Sequence, residues 1–145
     1  MIFNLRELTD KEVILQTYDI YQYCMYMPTQ EKFKEKVGHY LRDHAIKIFA
    51  CYSHNQIVSM MVVSLTEHDR AEIVGIAVDP SHRKQGIGSY MINQVRTNLN
   101  ISSFYAETDH DAIEFYRKNG FNITEFSEIY KSETVTRYQC ELRFI

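Results

Sequence analysis

Residues Glu72 to Ser89 constrain the fold of this 145-residue chain more tightly than any other stretch. Glu72-Ile73-Val74-Gly75-Ile76-Ala77-Val78 is rich in β-branched residues and reads as a strand, which Asp79-Pro80 ends. A basic loop follows, Ser81-His82-Arg83-Lys84-Gln85. Gly86-Ile87-Gly88-Ser89 then opens a helix over residues 86–100, in which Ile87, Met91, Val95 and Leu99 recur at helical spacing. A helix start leaves several backbone N–H groups unpaired and carries the positive end of the helix dipole. Gly86 and Gly88 remove side chains that would keep a phosphate from those amides, while Arg83 and Lys84 add positive charge. The stretch therefore reads as a cradle for a diphosphate at a strand-to-helix junction.

The rest of the chain supplies a sheet for that junction. A strand over residues 2–8 leads to Thr9 and Glu12, whose capping-box spacing predicts a helix running to about Tyr26, where Pro28 stops it. A second helix is predicted over residues 29–41 from Phe33, Val37, Tyr40 and Leu41. The period then changes. Residues 45–52, 57–65 and 72–78 form three apolar runs separated by Ser53-His54-Asn55-Gln56 and Glu67-His68-Asp69-Arg70, which predicts an antiparallel meander. After the glycine-initiated helix come a short strand (103–107) and a helix (109–119) capped by Gly120. Strands near 121–130 and 134–144 close the chain. The predicted order is β-α-α-β-β-β-α-β-α-β-β, an α/β (α+β) single domain with a mixed sheet flanked by four helices.

Composition narrows the partners. Sixteen basic against nineteen acidic side chains give a formal charge of -3, so nucleic acid and anionic membrane are not general partners. Cys24, Cys51 and Cys140 are odd in number and scattered, which argues against a disulfide framework or a zinc site and for reduced thiols. The N-terminus lacks a signal-peptide apolar run, and no stretch approaches the ~18 apolar residues of a membrane span. A soluble, cytoplasmic protein is the expectation.

The phosphate cradle has competing readings. A Walker A loop needs a Gly-Lys-Ser/Thr ending that is absent, and a dinucleotide fingerprint needs a third glycine where Met91 stands. A glycine-rich helix entry with solvated charges is the bland alternative. Arg83-Lys84-Gln85-Gly86-Ile87-Gly88 also resembles motif A, R/Q-x-x-G-x-G/A, of the GNAT superfamily of acetyl-CoA-dependent N-acetyltransferases. The preceding Ile76-Ala77-Val78-Asp79-Pro80 resembles that family's strand-end signature, and the predicted element order is similar to its fold from end to end. The resemblance implies a GNAT-like, mostly antiparallel seven-stranded sheet. It also implies that the amides of Lys84 to Ser89 hold the pyrophosphate of coenzyme A, and that the backbone of Ile76, Ala77 and Val78 pairs with the pantetheine arm.

Asp109-His110-Asp111-Ala112-Ile113-Glu114-Phe115-Tyr116-Arg117-Lys118-Asn119-Gly120-Phe121 carries a second resemblance, to N-x-x-A-x-x-F/L-Y-x-x-x-G-F of the same family. Asp109 stands where the family's asparagine commonly contacts the cofactor, and an ionised aspartate cannot donate a hydrogen bond. The resemblance makes Tyr116 the general acid that protonates the departing thiolate. Acetyl transfer to an amine has two further demands. An alkylammonium of pKa about 10 is neutral only about one part in a thousand near pH 7, so a base is needed. Glu72 resembles the glutamate base of histone-acetylating members, with Glu107, Asp109 and His110 as rivals. An oxyanion needs donors already in place, worth about 3 kcal/mol each. The amide of Val78 is the candidate, where the family usually interrupts this strand with a bulge. No His pair suggests a metal, and the chemistry needs none.

In the family the acceptor is walled by the segment between the first two helices and by the connection of the final strands. Here the first contains Tyr18, Tyr21, Tyr23, Cys24, Met25, Tyr26 and Met27, and the second Tyr130-Lys131-Ser132-Glu133, with Glu128 nearby. The reading is transfer of acetyl from acetyl-CoA to a primary amine, either a small cationic amine or a protein or peptide amine. A catalytically silent acetyl-CoA-binding sensor or assembly module is the alternative. Members of the family often pair through edge strands, which makes the strand ending Leu142-Arg143-Phe144-Ile145 the candidate homodimer edge.

Overall fold

The computed structural model describes residues 2–66 and 69–144. Seven strands form one sheet: β1 (Asn4–Glu7), β2 (Ile46–Ser53), β3 (Gln56–Thr66), β4 (Arg70–Val78), β5 (Ser103–Thr108), β6 (Asn122–Tyr130) and β7 (Glu133–Arg143). Their order is β1-β2-β3-β4-β5-β7-β6, antiparallel throughout except between β4 and β5. The helices are α1 (Lys11–Leu15), α2 (Tyr18–Tyr21), α3 (Gln30–Arg42), α4 (Ile87–Leu99) and α5 (Ile113–Lys118). The mixed, mostly antiparallel seven-stranded sheet predicted from the sequence is present.

The β2–β3 turn forms at His54 and Asn55, both with positive φ (52° and 64°), as a tight two-residue hairpin requires. Lys131 and Ser132 do the same between β6 and β7, at 52° and 66°. Glu67 and His68 of the other predicted turn lie outside the described residues. Alternation along the strands divides the core between two faces. Phe49, Met61, Ile73 and Phe104 pack against Ile87, Met91 and Val95 of α4 and Tyr116 of α5. Ile48, Met60 and Val62 point the other way, onto Ile14, Tyr21, Phe33 and Val37 of α1 to α3.

The single helix predicted before Pro28 is broken in two. Asp10, rather than Thr9, caps α1, its carboxylate accepting from the amides of Glu12 and Val13. Thr17 interrupts the helix after Leu15, its hydroxyl donating to the Ile14 carbonyl at 2.6 Å. Such back-bonding competes with the helical ladder. A 3₁₀ turn, Gln22–Cys24, then completes the segment, so five helices replace the expected four. The second predicted helix is α3, capped by Thr29. The helix expected from Asp109 begins instead as a 3₁₀ turn, His110–Ala112, and becomes α5 only at Ile113. It ends as predicted: Gly120 (φ 88°) donates to the Arg117 carbonyl and Phe121 to that of Tyr116, the paired bonds of a Schellman cap.

The C-terminal strand is not an edge. β7 lies between β5 and β6, paired on both sides over residues 138–141, so the edges of this sheet are β1 and β6.

Candidate active site

The sheet splits in its middle. β4 and β5 pair only at Arg70↔Ser103, Ala71↔Phe104 and Glu72↔Tyr105. Past that rung β4 continues through residues 73–78 on β3 alone, and residues 106–108 of β5 continue on β7. The result is a fork, with a row of β4 backbone groups that no strand covers. The apolar run of β4 hides this, because residues buried in the sheet and residues beside an opening have the same composition.

At the open end of the fork lies the basic loop. Lys84 and Gly86 both have left-handed backbones (φ 65° and 77°) just before α4, the kind of turn from which anion-binding nests are built. A Cβ built on Gly86 meets nothing within 4 Å, so the space above the loop's amides is open for a ligand. Gly88 has another reason to be glycine. A Cβ there would come within 2.5 Å of the Phe115 ring, and its absence lets α5 approach α4. The Ser89 hydroxyl donates to Asn119 Oδ1 at 2.6 Å, tying the same two helices together, so only its amide faces the loop's task. Gln85 is exposed and Ile87 is buried in the core. Arg83 is already engaged: its Nε donates to the Val78 carbonyl at 3.3 Å and its guanidinium lies 5.0 Å above the Tyr23 ring. Asp109 accepts from the Asp111 amide at 3.2 Å and so starts the 3₁₀ turn before α5.

The bulge lies elsewhere than expected. Val62 pairs with Gly75 and Val63 with Ile73, so Val74 is the extra residue, four positions before Val78. It also resets the alternation. Glu72 and Val74 line a groove beneath α3, Gly75 faces Tyr21 and Cys24, and Ile76 and Val78 turn to the α4 core. Simple alternation would have placed Glu72 and Ile76 on one face.

Tyr116 enters from the α4–α5 side, edge-on to Phe115 and Phe121 at 5.2 and 5.1 Å. Burial pushes its phenol well above the ordinary value of 10.0, with the Cys140 and Cys24 thiols adding to the shift. It therefore stays protonated. Cys24 lies on the opposite face of β4, against Gly75. Glu72 stands at the fork's apex. Tyr105 Oη donates to its Oε1 at 3.3 Å, and the Arg70 guanidinium covers the Tyr105 ring at 4.0 Å. Burial, then the Glu72 carboxylate, raises the Tyr105 phenol above its usual value. The groove beside Glu72 has a volume of about 490 Å³ and is lined from α3 by Glu35, Lys36, His39 and Asp43.

The two predicted acceptor walls meet. Tyr26 and Tyr130 stand edge to face with centroids 6.3 Å apart, and both are exposed. Tyr18 and Tyr21 instead pack on Phe33 in the core. His110, a rival base, lies 6.2 Å from the Tyr138 ring. Among the described residues no group of three or more His, Cys, Asp or Glu side chains could hold a metal ion, and no helix is long and apolar enough to cross a membrane.

Residues 14–121 match the family model described as the acetyltransferase (GNAT) family. The chain belongs to the GNAT acetyltransferase family. It is thus an acetyltransferase. Solved structures share its fold over nearly their whole lengths. A GNAT family acetyltransferase from Elizabethkingia anophelis with acetyl-CoA bound is 19% identical, with 98% of each chain covered and a TM-score of 0.72. The ribosomal-protein-S18-alanine N-acetyltransferase from Escherichia coli is 18% identical, covering 98% of this chain and 94% of that one, with a TM-score of 0.73. A spermidine N-acetyltransferase mutant from Vibrio cholerae is 16% identical, covering 97% and 93%, with a TM-score of 0.74. No curated protein matches the sequence.

Sequence reasoning missed Tyr105 in this GNAT domain. Its partnership with Glu72 depends on which residues the short parallel pairing sets side by side, a register that no local pattern encodes. Cys24 read as an ordinary buried thiol, although the density of Tyr and Met around it did mark its segment.

Proposed function

We propose that this chain transfers the acetyl group of acetyl-CoA directly to a primary amine, with donor and acceptor bound together in the fork. The observation that carries this is the fork itself, with an anion nest at its mouth, a protonated phenol entering from one face and a carboxylate held at its apex from the other. The site's residues fit coenzyme A. The amides of Lys84 to Ser89 would hold its diphosphate, with Gly86 leaving room, and the strand-free edge of Ile76, Ala77 and Val78, once the Val78 carbonyl gives up Arg83, suits an extended arm carrying amides. When bound, acetyl-CoA supplies an activated acyl group on sulfur.

The chain's own residues would do the rest. Glu72, directly or through water, takes a proton from the acceptor ammonium so that nitrogen can attack the carbonyl carbon. As the new C–N bond forms and the C–S bond breaks, Tyr116 Oη donates to the departing sulfur. The bulge at Val74 makes its amide and that of Gly75 better candidates than that of Val78 to meet the carbonyl oxygen. Asp109 is committed to its turn and would contact the cofactor only by giving up that bond. Three carboxylates at the groove, Glu35, Asp43 and Glu72, favour a cationic amine, and the exposed Tyr26–Tyr130 pair offers it an aromatic flank.

Thermal unfolding with excess acetyl-CoA, with ATP and NAD as controls, tests the reading. At about a hundred times its dissociation constant the ligand should stabilise the chain by ~2.7 kcal/mol. Stabilisation by acetyl-CoA alone, followed by thiol release with a panel of primary amines, is expected. Stabilisation without thiol release on any amine would favour the silent sensor, and no stabilisation would overturn the cofactor site.

A further inference from the structure

The segment between α2 and α3 does more than border the acceptor. A Cβ built on Gly75 would meet Tyr21 Oη at 2.3 Å and Cys24 Sγ at 3.1 Å, so both side chains lie directly on the β4 backbone beside the bulge. Tyr21 is fixed there. Its ring packs on Phe33, and its hydroxyl shares a hydrogen bond with that of Tyr40 at 3.3 Å. Cys24 is fixed as well, its thiol donating to the Tyr21 carbonyl at 3.3 Å. Cys24 Sγ thus borders the β4 backbone at the bulge, where Gly75 has no side chain to cover it.

We propose that Cys24, backed by Tyr21, forms the wall that limits the length of the acyl group this enzyme accepts. The inference rests on the reading that acyl-CoA occupies the fork. In that reading the sulfur of the thioester must lie within reach of Tyr116 and its carbonyl near the bulge. The acyl chain then extends away from both, toward α2 and the turn that carries Cys24. A two-carbon acyl group ends before the wall, and each further methylene presses on a thiol that cannot retreat, because Tyr21 fills the space behind it. Burial raises the Cys24 thiol to about 12, so it remains a neutral, apolar surface rather than a nucleophile that would take the acyl group itself.

The test needs no acceptor. Dissociation constants are measured by calorimetry for coenzyme A, acetyl-CoA, propionyl-CoA and butyryl-CoA with the wild-type chain, Cys24→Ala and Cys24→Met. One methylene against a fitted apolar wall discriminates by about 10-fold or more. Wild type should therefore favour acetyl-CoA over butyryl-CoA by at least that factor. Cys24→Ala should narrow the ratio to about threefold or less by opening the wall. Cys24→Met should weaken acetyl-CoA while leaving coenzyme A unchanged. If coenzyme A itself fails to bind the wild type, the occupied-fork reading falls and takes the wall with it. If coenzyme A binds but the acyl series is flat in wild type, or keeps its ratios in Cys24→Ala, the wall is refuted and the fork reading stands.

Discussion

The loop from Asp79 to Ser89 and the segment from Asp10 to Met27 both break regular structure beside the fork, but only the first announces its break. At Gly86 the chain adopts left-handed backbone, and at Pro80 the strand must stop, so the residues that permit these turns are visible in the sequence. Between Asp10 and Met27 the chain has good helical spacing and neither proline nor glycine. It breaks at Thr17 all the same, and α2 then lays Tyr21 against the bare backbone of Gly75. One region is shaped by what its own backbone can do, the other by what it must fit against.

That contrast can be broken most sharply at Gly86. Aspartate is a good N-cap residue and a Cβ there has room, yet its carboxylate would face the anion nest. Gly86→Asp should lower acetyl-CoA affinity by about 100-fold or more while shifting Tm only slightly, at a backbone cost of about 1 kcal/mol. Unaltered affinity in calorimetry would show that the loop is a structural entry to α4.

Next come the two groups proposed as acid and base. Tyr116→Phe should reduce kcat by about 100-fold with KM for acetyl-CoA unchanged, and Glu72→Gln should do the same. Full turnover in either variant removes that residue's role. Tyr105→Phe, which deletes only the hydroxyl that orients Glu72, should have the smaller effect of about threefold to tenfold. It should have no further effect in the Glu72→Gln background.

On the packed side the response should be in stability. Gly75→Ala would drive a methyl into the Tyr21 hydroxyl and cost about 1–3 kcal/mol, seen as a lower midpoint in urea. An unchanged midpoint would mean that α2 moves freely over β4. The buried thiol and phenols give this side a pH signature too. Cys24 binds its proton more tightly folded (about 12) than at its ordinary 9.0, so the native state holds more protons between those values. Stability should be whole below pH 9 and fall as pH rises toward 12. Cys24→Ala should unfold less readily in that window, and an identical alkaline midpoint would contradict the burial of the thiol.

The seven strands, their meander and the glycine-initiated helix were legible because each follows from period or turn chemistry within a few residues. The positions of Tyr116 on α5 and of the glycines before α4 were legible for the same reason. The position of the bulge was not. Val74 looks like any β-branched strand residue, and only the registers on β3 show it to be surplus. Nor was the burial of β7 between β5 and β6, since a C-terminal strand has the same sequence character at an edge as inside. Glu72 was named from its place in the strand, whereas the hydroxyl that holds it comes from a residue 33 positions later.

The incomplete seam between β4 and β5 also bears on solubility. A sheet edge is ordinarily a template for unwanted pairing, and proteins protect their outer edges with charge, twist or cover. This fold carries such an edge in its interior, along a run of Ile, Val and Ala that has no charged side chain after Glu72. An extended ligand laid against that run would act as its missing strand. The empty protein should consequently be the adhesive form, more prone to cluster on storage or concentration than the occupied one. Light scattering with and without coenzyme A measures that difference, and equal scattering would mean that the seam closes on itself.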